Sequence, residues 1–153
     1  MSDATAGPSI GARRLGLGGL IPFVALAAAL WLVPAADRPL AGIALLGYGA
    51  SIVSFLGGIH WGLAMREGPA PSMPSLLWGV LPSLLGWAAL LLGQAQGLLL
   101  MTALLWACLA VDRALYPRYR LQAWLPMRWR LTWVASLSCL AGAVALLPSA
   151  QRG

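Results

Sequence analysis

The chain has very little charge, and its positive charge is of one kind. Of its 153 residues, 9% are charged and 60% are hydrophobic, and all ten basic residues are arginine because lysine is absent. Soluble domains carry about 25% charged residues, so this composition excludes a water-soluble globular core. We therefore expect an all-α membrane protein.

Cysteine and histidine are also scarce. The two cysteines, Cys108 and Cys139, lie inside apolar runs, and His60 is the single histidine. This excludes a disulfide framework and any familiar cysteine-based zinc motif. Metal sites usually need three or four ligands, which would have to converge here from three different helices. No metal ion, no cofactor and no catalytic residue is predicted.

Long hydrophobic runs, in contrast, dominate the sequence. A transmembrane helix needs about 20 mostly apolar residues, and glycine- and proline-rich breaks separate the candidates. Five segments qualify: residues 15–34, 40–65, 75–93, 97–115 and 131–147. We predict one five-helix transmembrane domain over residues 15–148, after a short disordered tail at 1–14 and before a short tail at 149–153.

The first apolar segment has a second interpretation. Arg13 and Arg14 precede it, and Val33-Pro34-Ala35 faintly resembles the cleavage site of a signal peptide. Trp31 and Pro34 are poorly placed for cleavage, however, and the next segment is another apolar span. A retained transmembrane helix is the favoured interpretation.

The arginines flank alternate ends of the spans. Eight lie in or beside the N-terminal tail and the second and fourth loops, whereas Arg38 and Arg152 fall on the opposite side. The positive-inside rule then predicts an N-terminus in the cytoplasm, or in the matrix of a mitochondrion, and an outside C-terminus. A net charge of +6 can also indicate nucleic-acid binding. Arginines beside apolar spans fit contact with anionic phospholipid better, so no nucleic-acid partner is expected.

Small residues form stripes on two of the predicted helices. On the second helix the stripe contains Gly47, Ser51, Ser54, Gly58 and Gly62, which share one face because they recur at steps of three and four. Gly58 and Gly62 form a small-xxx-small pair that favours close helix packing, and Gly57 is a further packing candidate. The third helix carries Gly79, Gly86 and Gly93 at steps of seven. Either these faces pack helices, or one of them lines a slot for a flat ligand or lipid tail.

His60 and Asp112 are the polar residues that the bilayer tolerates least. Both lie near the same end of the predicted bundle, and an acid in the last turn of a helix opposes the helix dipole. We predict that Asp112 pairs with His60, either as a structural clamp or as part of a proton-handling or ligand-binding site. Arg113, Arg66 and Tyr116 could also compensate Asp112. The ligand-binding or polar-site candidates are Tyr48, Ser51, Ser54, His60, Trp61 and Asp112.

The fourth loop, from Tyr116 to Arg130, interleaves arginine with tyrosine and tryptophan. Beside two membrane spans this pattern places guanidinium groups at lipid phosphates and indole rings at headgroup level. The loop is either a plain topology determinant or a specific site for an anionic lipid or a protein partner. The predicted lipid-contact residues are Arg118, Arg120, Arg128 and Arg130.

The segment Tyr48–Met65, YGASIVSFLGGIHWGLAM, resembles the signature of a small membrane-protein family defined by a domain of unknown function, which includes transmembrane protein 69. The segment WLPMRWRLT resembles that family's sequence before its last helix. The resemblance implies a bacterial inner-membrane protein with mitochondrial relatives, and it implies no enzymatic residue. The matching positions are Tyr48, Ser54, Phe55, Gly57, Gly58, His60, Trp61 and Gly62.

From these features we predict a multi-pass inner-membrane protein without catalytic activity. It would act as a scaffold, an assembly factor or a regulatory partner of other membrane subunits. The alternative is a binder or carrier of a small amphipathic molecule, such as a tetrapyrrole, a quinone or a lipid, beside His60 and Trp61. A membrane enzyme with His60 as acid or base ranks last, because a second catalytic group is missing.

Overall fold

The computed structural model describes residues 7–67 and 72–147, and within those ranges the chain is helical with no strand. Five stretches of the described residues are long and apolar enough to cross a membrane, as the sequence predicted. Two 3-10 turns, Tyr116–Tyr119 and Gln122–Trp124, connect the last two helices. The helices are α1 Ile10–Gly18, α2 Ile21–Leu32, α3 Arg38–Met65, α4 Met73–Leu90, α5 Gln94–Leu115 and α6 Leu125–Leu146.

The first candidate span is two helices rather than one. α1 starts at Ile10, inside the segment predicted as a tail, and Ser9 Oγ caps it by accepting a hydrogen bond from the Ala12 amide at 3.2 Å. Pro22, near the start of α2, has no amide hydrogen, and its ring would collide with the Gly18 carbonyl in a continuous helix. The predicted tail at 149–153 and residues 68–71 of the second loop lie outside the described residues.

Tyr48 stabilises the break between α1 and α2. Its hydroxyl donates a hydrogen bond to the Gly19 carbonyl at 2.8 Å, and its ring packs edge-on against Phe23. This carbonyl lies beside the break, so Tyr48 ties the first span to α3.

Tyr48→Phe isolates the contribution of that hydroxyl. The phenylalanine ring keeps the contact with Phe23, whereas the Gly19 carbonyl loses its donor, so we expect a loss of about 1 kcal/mol of stability. Thermal unfolding of the purified protein in mild detergent measures it, and an unchanged midpoint would show that the hydrogen bond contributes nothing.

α3 is the central helix and packs against α2, α4, α5 and α6. A continuous apolar core, which includes Leu30, Leu45, Val53, Leu98 and Met101, fills the space between these helices. Because lipid tails are as apolar as these side chains, close van der Waals packing must hold the helices together. Small residues at the crossings therefore decide which helix faces meet.

Glycines let α3 and α4 approach to backbone contact. A Cβ atom added to Gly57 would lie 2.6 Å from the Gly79 carbonyl oxygen, and one added to Gly86 would lie 2.9 Å from Val53 Cγ2. Three of the predicted packing glycines, Gly57, Gly79 and Gly86, thus lie at this crossing. The buried Pro82 packs beside them, and α4 continues through it as a helix.

The predicted packing pair Gly58 and Gly62 lies elsewhere. Both residues are exposed, and a Cβ atom added at either would have no heavy atom within 4 Å among the described residues. The prediction that this pair packs helices of this chain is therefore wrong. The neighbouring Gly57 faces α4 instead, because one residue along a helix turns the side chain by about 100°.

Candidate functional site: a buried ion network beside a cavity

Three helices bring His60, Asp112 and Arg128 into one hydrogen-bonded network. His60 Nε2 on α3 lies 2.7 Å from Asp112 Oδ1 on α5, and Arg128 Nε on α6 donates to Asp112 Oδ2 at 2.6 Å. The three residues are only 3%, 1% and 7% exposed. Each carboxylate oxygen thus has its own partner, and the network joins three helices.

Neither charged residue of this network is favoured by its own helix. Asp112 lies in the last turn of α5, where an acid opposes the helix dipole, and Arg128 lies in the first turn of α6, where a cation opposes it. Burial in a membrane adds a desolvation cost for each ion. Their mutual ion pair offsets these costs, so removing one partner should leave the other buried and uncompensated.

The predicted contact between His60 and Asp112 is present in the structure, but Arg128 was assigned wrongly. Arg128 is buried and bonded to Asp112, so it does not face lipid headgroups as predicted. The reason is that α6 begins at Leu125, whereas the predicted span began at residue 131. Pro126, near the start of α6, was the signal for the earlier helix start.

The other arginines of this region are exposed. Arg118, Arg120 and Arg130 lie at the surface. Arg113, one of the alternative partners of Asp112, instead places its guanidinium 5.8 Å from the ring centre of Trp129. The Tyr116 ring lies 6.1 Å from the His60 ring.

The remaining predicted polar candidates do not converge on His60. Tyr48 binds the Gly19 carbonyl, and Ser51 and Ser54 donate to carbonyls one turn back in α3. Trp61 is 40% exposed and packs at Gly79 of α4. Neither serine is therefore hydrogen-bonded to His60. Within residues 7–67 and 72–147, no group of three metal-ligating side chains occurs either.

A cavity of about 370 Å³ lies on the α6 side of the network. It is lined mainly by α1, α3 and α6, with contributions from α2, α5 and the 3-10 turns. Sequence reasoning missed this cavity because its walls come from distant parts of the chain. Its lining residues are Ala12, Leu15, Gly16, Gly19, Leu20, Phe23, Ile52, Phe55, Leu56, Ile59, Leu105, Tyr116, Trp124, Met127, Arg128, Leu131, Thr132 and Ala135.

The cavity wall contains two polar groups without partners. Arg128 Nη2 and Thr132 Oγ1 are buried and have no hydrogen-bond partner in the part of the chain that the structure describes. Most buried polar groups in proteins are hydrogen-bonded. Arg128 Nη2 and Thr132 Oγ1 are exceptions to this rule, and both belong to residues that line the cavity.

Comparison with known proteins identifies the family. Residues 9–144 match the family model described as "Protein of unknown function (DUF3429)". The chain belongs to this family. It is 43% identical over 112 residues to transmembrane protein 69 of Xenopus tropicalis, covering 71% of this chain and 44% of that protein. It is 33% identical over 107 residues to transmembrane protein 69 of Mus musculus, covering 67% of this chain and 43% of that protein.

These relatives agree with the resemblance that the signature segments indicated. The chain spans less than half the length of the two relatives, so the family membership describes the shared membrane region. No solved structure matches the chain. The family description assigns no activity, and the names of the relatives state only that they are transmembrane proteins.

Proposed function

We propose that this protein is a non-enzymatic membrane protein that binds a small amphipathic molecule in the cavity between α1, α3 and α6. The cavity is the main evidence for this proposal. Small-molecule sites typically measure about 300 to 1,000 Å³ and combine an apolar lining with a few placed polar groups. At about 370 Å³, with Arg128 and Thr132 on a wall of aliphatic and aromatic side chains, this cavity fits that description.

The part of the cavity wall that α6 supplies runs from the start of that helix towards its middle. Trp124 and Arg128 mark its end near the start of α6, and Ala135 marks the other end, 11 residues from Trp124. That separation corresponds to about 16 Å along a helix, roughly half of a hydrocarbon core about 30 Å thick. A ligand with its polar head near the membrane surface and its tail towards the bilayer centre matches this arrangement.

The proposed site differs in position from the one predicted beside His60 and Trp61. Neither residue lines the cavity. His60 contributes indirectly, since it holds Asp112, which in turn holds Arg128. We therefore assign His60 the role of positioning the polar wall.

We also propose that the cavity's polar end faces the cytoplasm. Eight of the ten arginines lie at one end of the bundle. At this end α1 and α6 begin, and α3 and α5 end. Tyr119 donates to Glu67 across this end, joining the α5–α6 connection to the end of α3. The positive-inside rule supports a cytoplasmic position for it in the inner membrane, with anionic phospholipid at Arg118, Arg120 and Arg130.

Gly16→Leu tests the proposed binding function, with Gly18→Leu as its matched control. A Cβ atom at Gly16 would lie 3.4 Å from Met127 Cε and 3.5 Å from Leu131 Cδ1, so the helix accepts it while the rest of the leucine fills the cavity. A Cβ atom at Gly18 meets nothing within 4 Å among the described residues. Native mass spectrometry after mild solubilisation should show a bound amphiphile in wild type and Gly18→Leu, and none in Gly16→Leu.

Equal retention of the same molecules by both variants would place them on the outer surface, outside the cavity. Wild-type protein that carries no amphiphile, and is not stabilised by adding one, would contradict the binding function itself.

A scaffold or assembly role is the second candidate function. The open face of α3 favours it, because Gly47, Gly58 and Gly62 would each accept a Cβ atom without any contact within 4 Å in the described chain. A helix of another membrane subunit could therefore approach closely there. A scaffold would retain protein subunits on purification, and Gly16→Leu would leave that retention unchanged.

A further inference from the structure

We infer that the cavity's ligand carries an anionic oxygen head, a carboxylate or a phosphate, that is bound by Arg128 and Thr132. This inference rests on the proposed binding function and specifies the chemistry of the ligand. It begins from the unpaired Nη2 of Arg128, a side chain that is 7% exposed and lines the cavity. The unpaired hydroxyl of Thr132, which is 1% exposed, lies on the same helix one turn further on.

The donor chemistry of Arg128 defines what its partner must be. A guanidinium has five N–H donors and no acceptor. Asp112 accepts from Nε, which leaves the donors of Nη2 without a partner among the described residues. An amine head is excluded because it would offer another donor and another positive charge. The ligand must present an acceptor oxygen.

The surrounding charge favours an anion over a neutral acceptor. The described part of this end of the bundle contains eight arginines and two carboxylates, Asp112 and Glu67. Both carboxylates already have partners: His60 and Arg128 bind Asp112, and Tyr119 donates to Glu67. A carboxylate or phosphate would add a negative charge where six positive charges are in excess. Hydrogen bonds with ionised partners are also stronger than those between neutral groups.

The ion network holds the guanidinium in position before the ligand arrives. Asp112 fixes Nε at 2.6 Å, and His60 fixes Asp112 from α3. The planar guanidinium group of Arg128 is therefore preorganised, which lowers the entropy cost of binding an anion. Because Nη2 and the Thr132 hydroxyl are buried, the head must displace a neighbouring side chain to reach them. We assign this movement to Met127, an unbranched and flexible residue on the same cavity wall.

Three ligands with the same tail and different heads test this inference. Dodecanoate, dodecyl phosphate and dodecanol are titrated into wild-type protein in mild detergent. Binding of each is measured by native mass spectrometry. At least one anion should bind roughly tenfold or more tightly than dodecanol, since a charge-assisted hydrogen bond is about twice as strong as a neutral one. Preference for dodecanoate would identify a fatty-acid-like ligand, and preference for dodecyl phosphate a phospholipid-like one.

Two variants assign the preference to the wall residues. Thr132→Val keeps the side-chain shape and removes the hydroxyl, so it should reduce the anion preference several-fold. Arg128→Lys keeps the positive charge but loses the planar guanidinium with its paired donors, so it should reduce the preference further. The control is Arg130→Gln, which removes an exposed arginine from the same helix and should leave the preference unchanged. Folding of each variant is checked by its thermal transition.

The failures of the two proposals are distinguishable. Equal affinity for dodecanol and both anions would overturn the anionic head and leave the binding function standing. An anion preference that Arg130→Gln reduces as much as Thr132→Val would also overturn it, because general surface charge would then be the cause. No binding of any of the three probes would overturn both proposals.

Discussion

Replacing Asp112 with alanine should lower the free energy of unfolding by about 3 to 5 kcal/mol, which is the usual effect of removing one partner of a buried ion pair. The carboxylate is 1% exposed and accepts from Arg128 at one oxygen and pairs with His60 at the other. Without it, Arg128 remains buried in a membrane helix with no counter-charge. Reversible thermal or denaturant unfolding in mild detergent measures the loss.

Asp37→Ala is the matched control for this substitution. Asp37 is exposed at the start of α3 and makes no capping hydrogen bond with its side chain, so its removal should have little effect. If the two alanine variants unfold alike, the ion network does not stabilise the bundle.

A double-mutant cycle separates the pairing from the individual residues. Asp112→Asn and His60→Ala are made singly and together, and their effects on stability are compared. Residues in one hydrogen-bond network usually show coupling energies of about 0.5 to 3 kcal/mol. Additive effects would mean that the contact at 2.7 Å contributes no interaction energy.

Gly57→Leu should lower the free energy of unfolding nearly as much as Asp112→Ala does. Gly58→Leu is the control at the adjacent position. Even the Cβ atom of a residue at position 57 would lie 2.6 Å from the Gly79 carbonyl oxygen, and that backbone atom cannot move aside as a side chain can. The variant must separate α3 from α4, so we expect a cost of about 3 kcal/mol or more. Unfolding in detergent and the yield of folded protein measure it.

The control substitution changes the same residue type one position along. Gly58 is exposed, with nothing within 4 Å of an added Cβ atom in the described structure, so Gly58→Leu should alter stability by less than about 1 kcal/mol. Equal damage from both substitutions would show that helix α3 tolerates no large residue at either face. More damage at Gly58 would reverse the assigned packing face.

The sequence predicted the number of membrane spans and their helical structure, but not the break of the first span into α1 and α2, nor which helix faces meet. The number of spans follows from apolar length alone, which is a strong signal. The packing face of α3 could not be read in the same way, because small and apolar residues occur on all of its sides. Gly57 and Gly58 are neighbours, and only the position of Gly79 on α4 distinguishes them.

Sequence analysis could predict only those site residues whose burial in a membrane costs free energy. Asp112 and His60 stand out because a bilayer penalises unpaired polar groups, and their contact follows from that argument. Arg128 was missed because it was counted as a loop residue, although Pro126 indicated an earlier start of α6. The cavity has no sequence pattern of its own, since it results from the break between α1 and α2 and from the packing of α1 beside α6.

A crystal structure of the protein with bromine-tagged dodecanoate, the bromine at the end of the tail, tests the central proposal most directly. The account predicts anomalous bromine signal inside the cavity, near Phe23, Ile52 and Ala135, with the carboxylate within hydrogen-bond distance of Arg128 Nη2. Bromine signal only on the outer, lipid-facing surface of the helices, with the cavity unchanged, would contradict it.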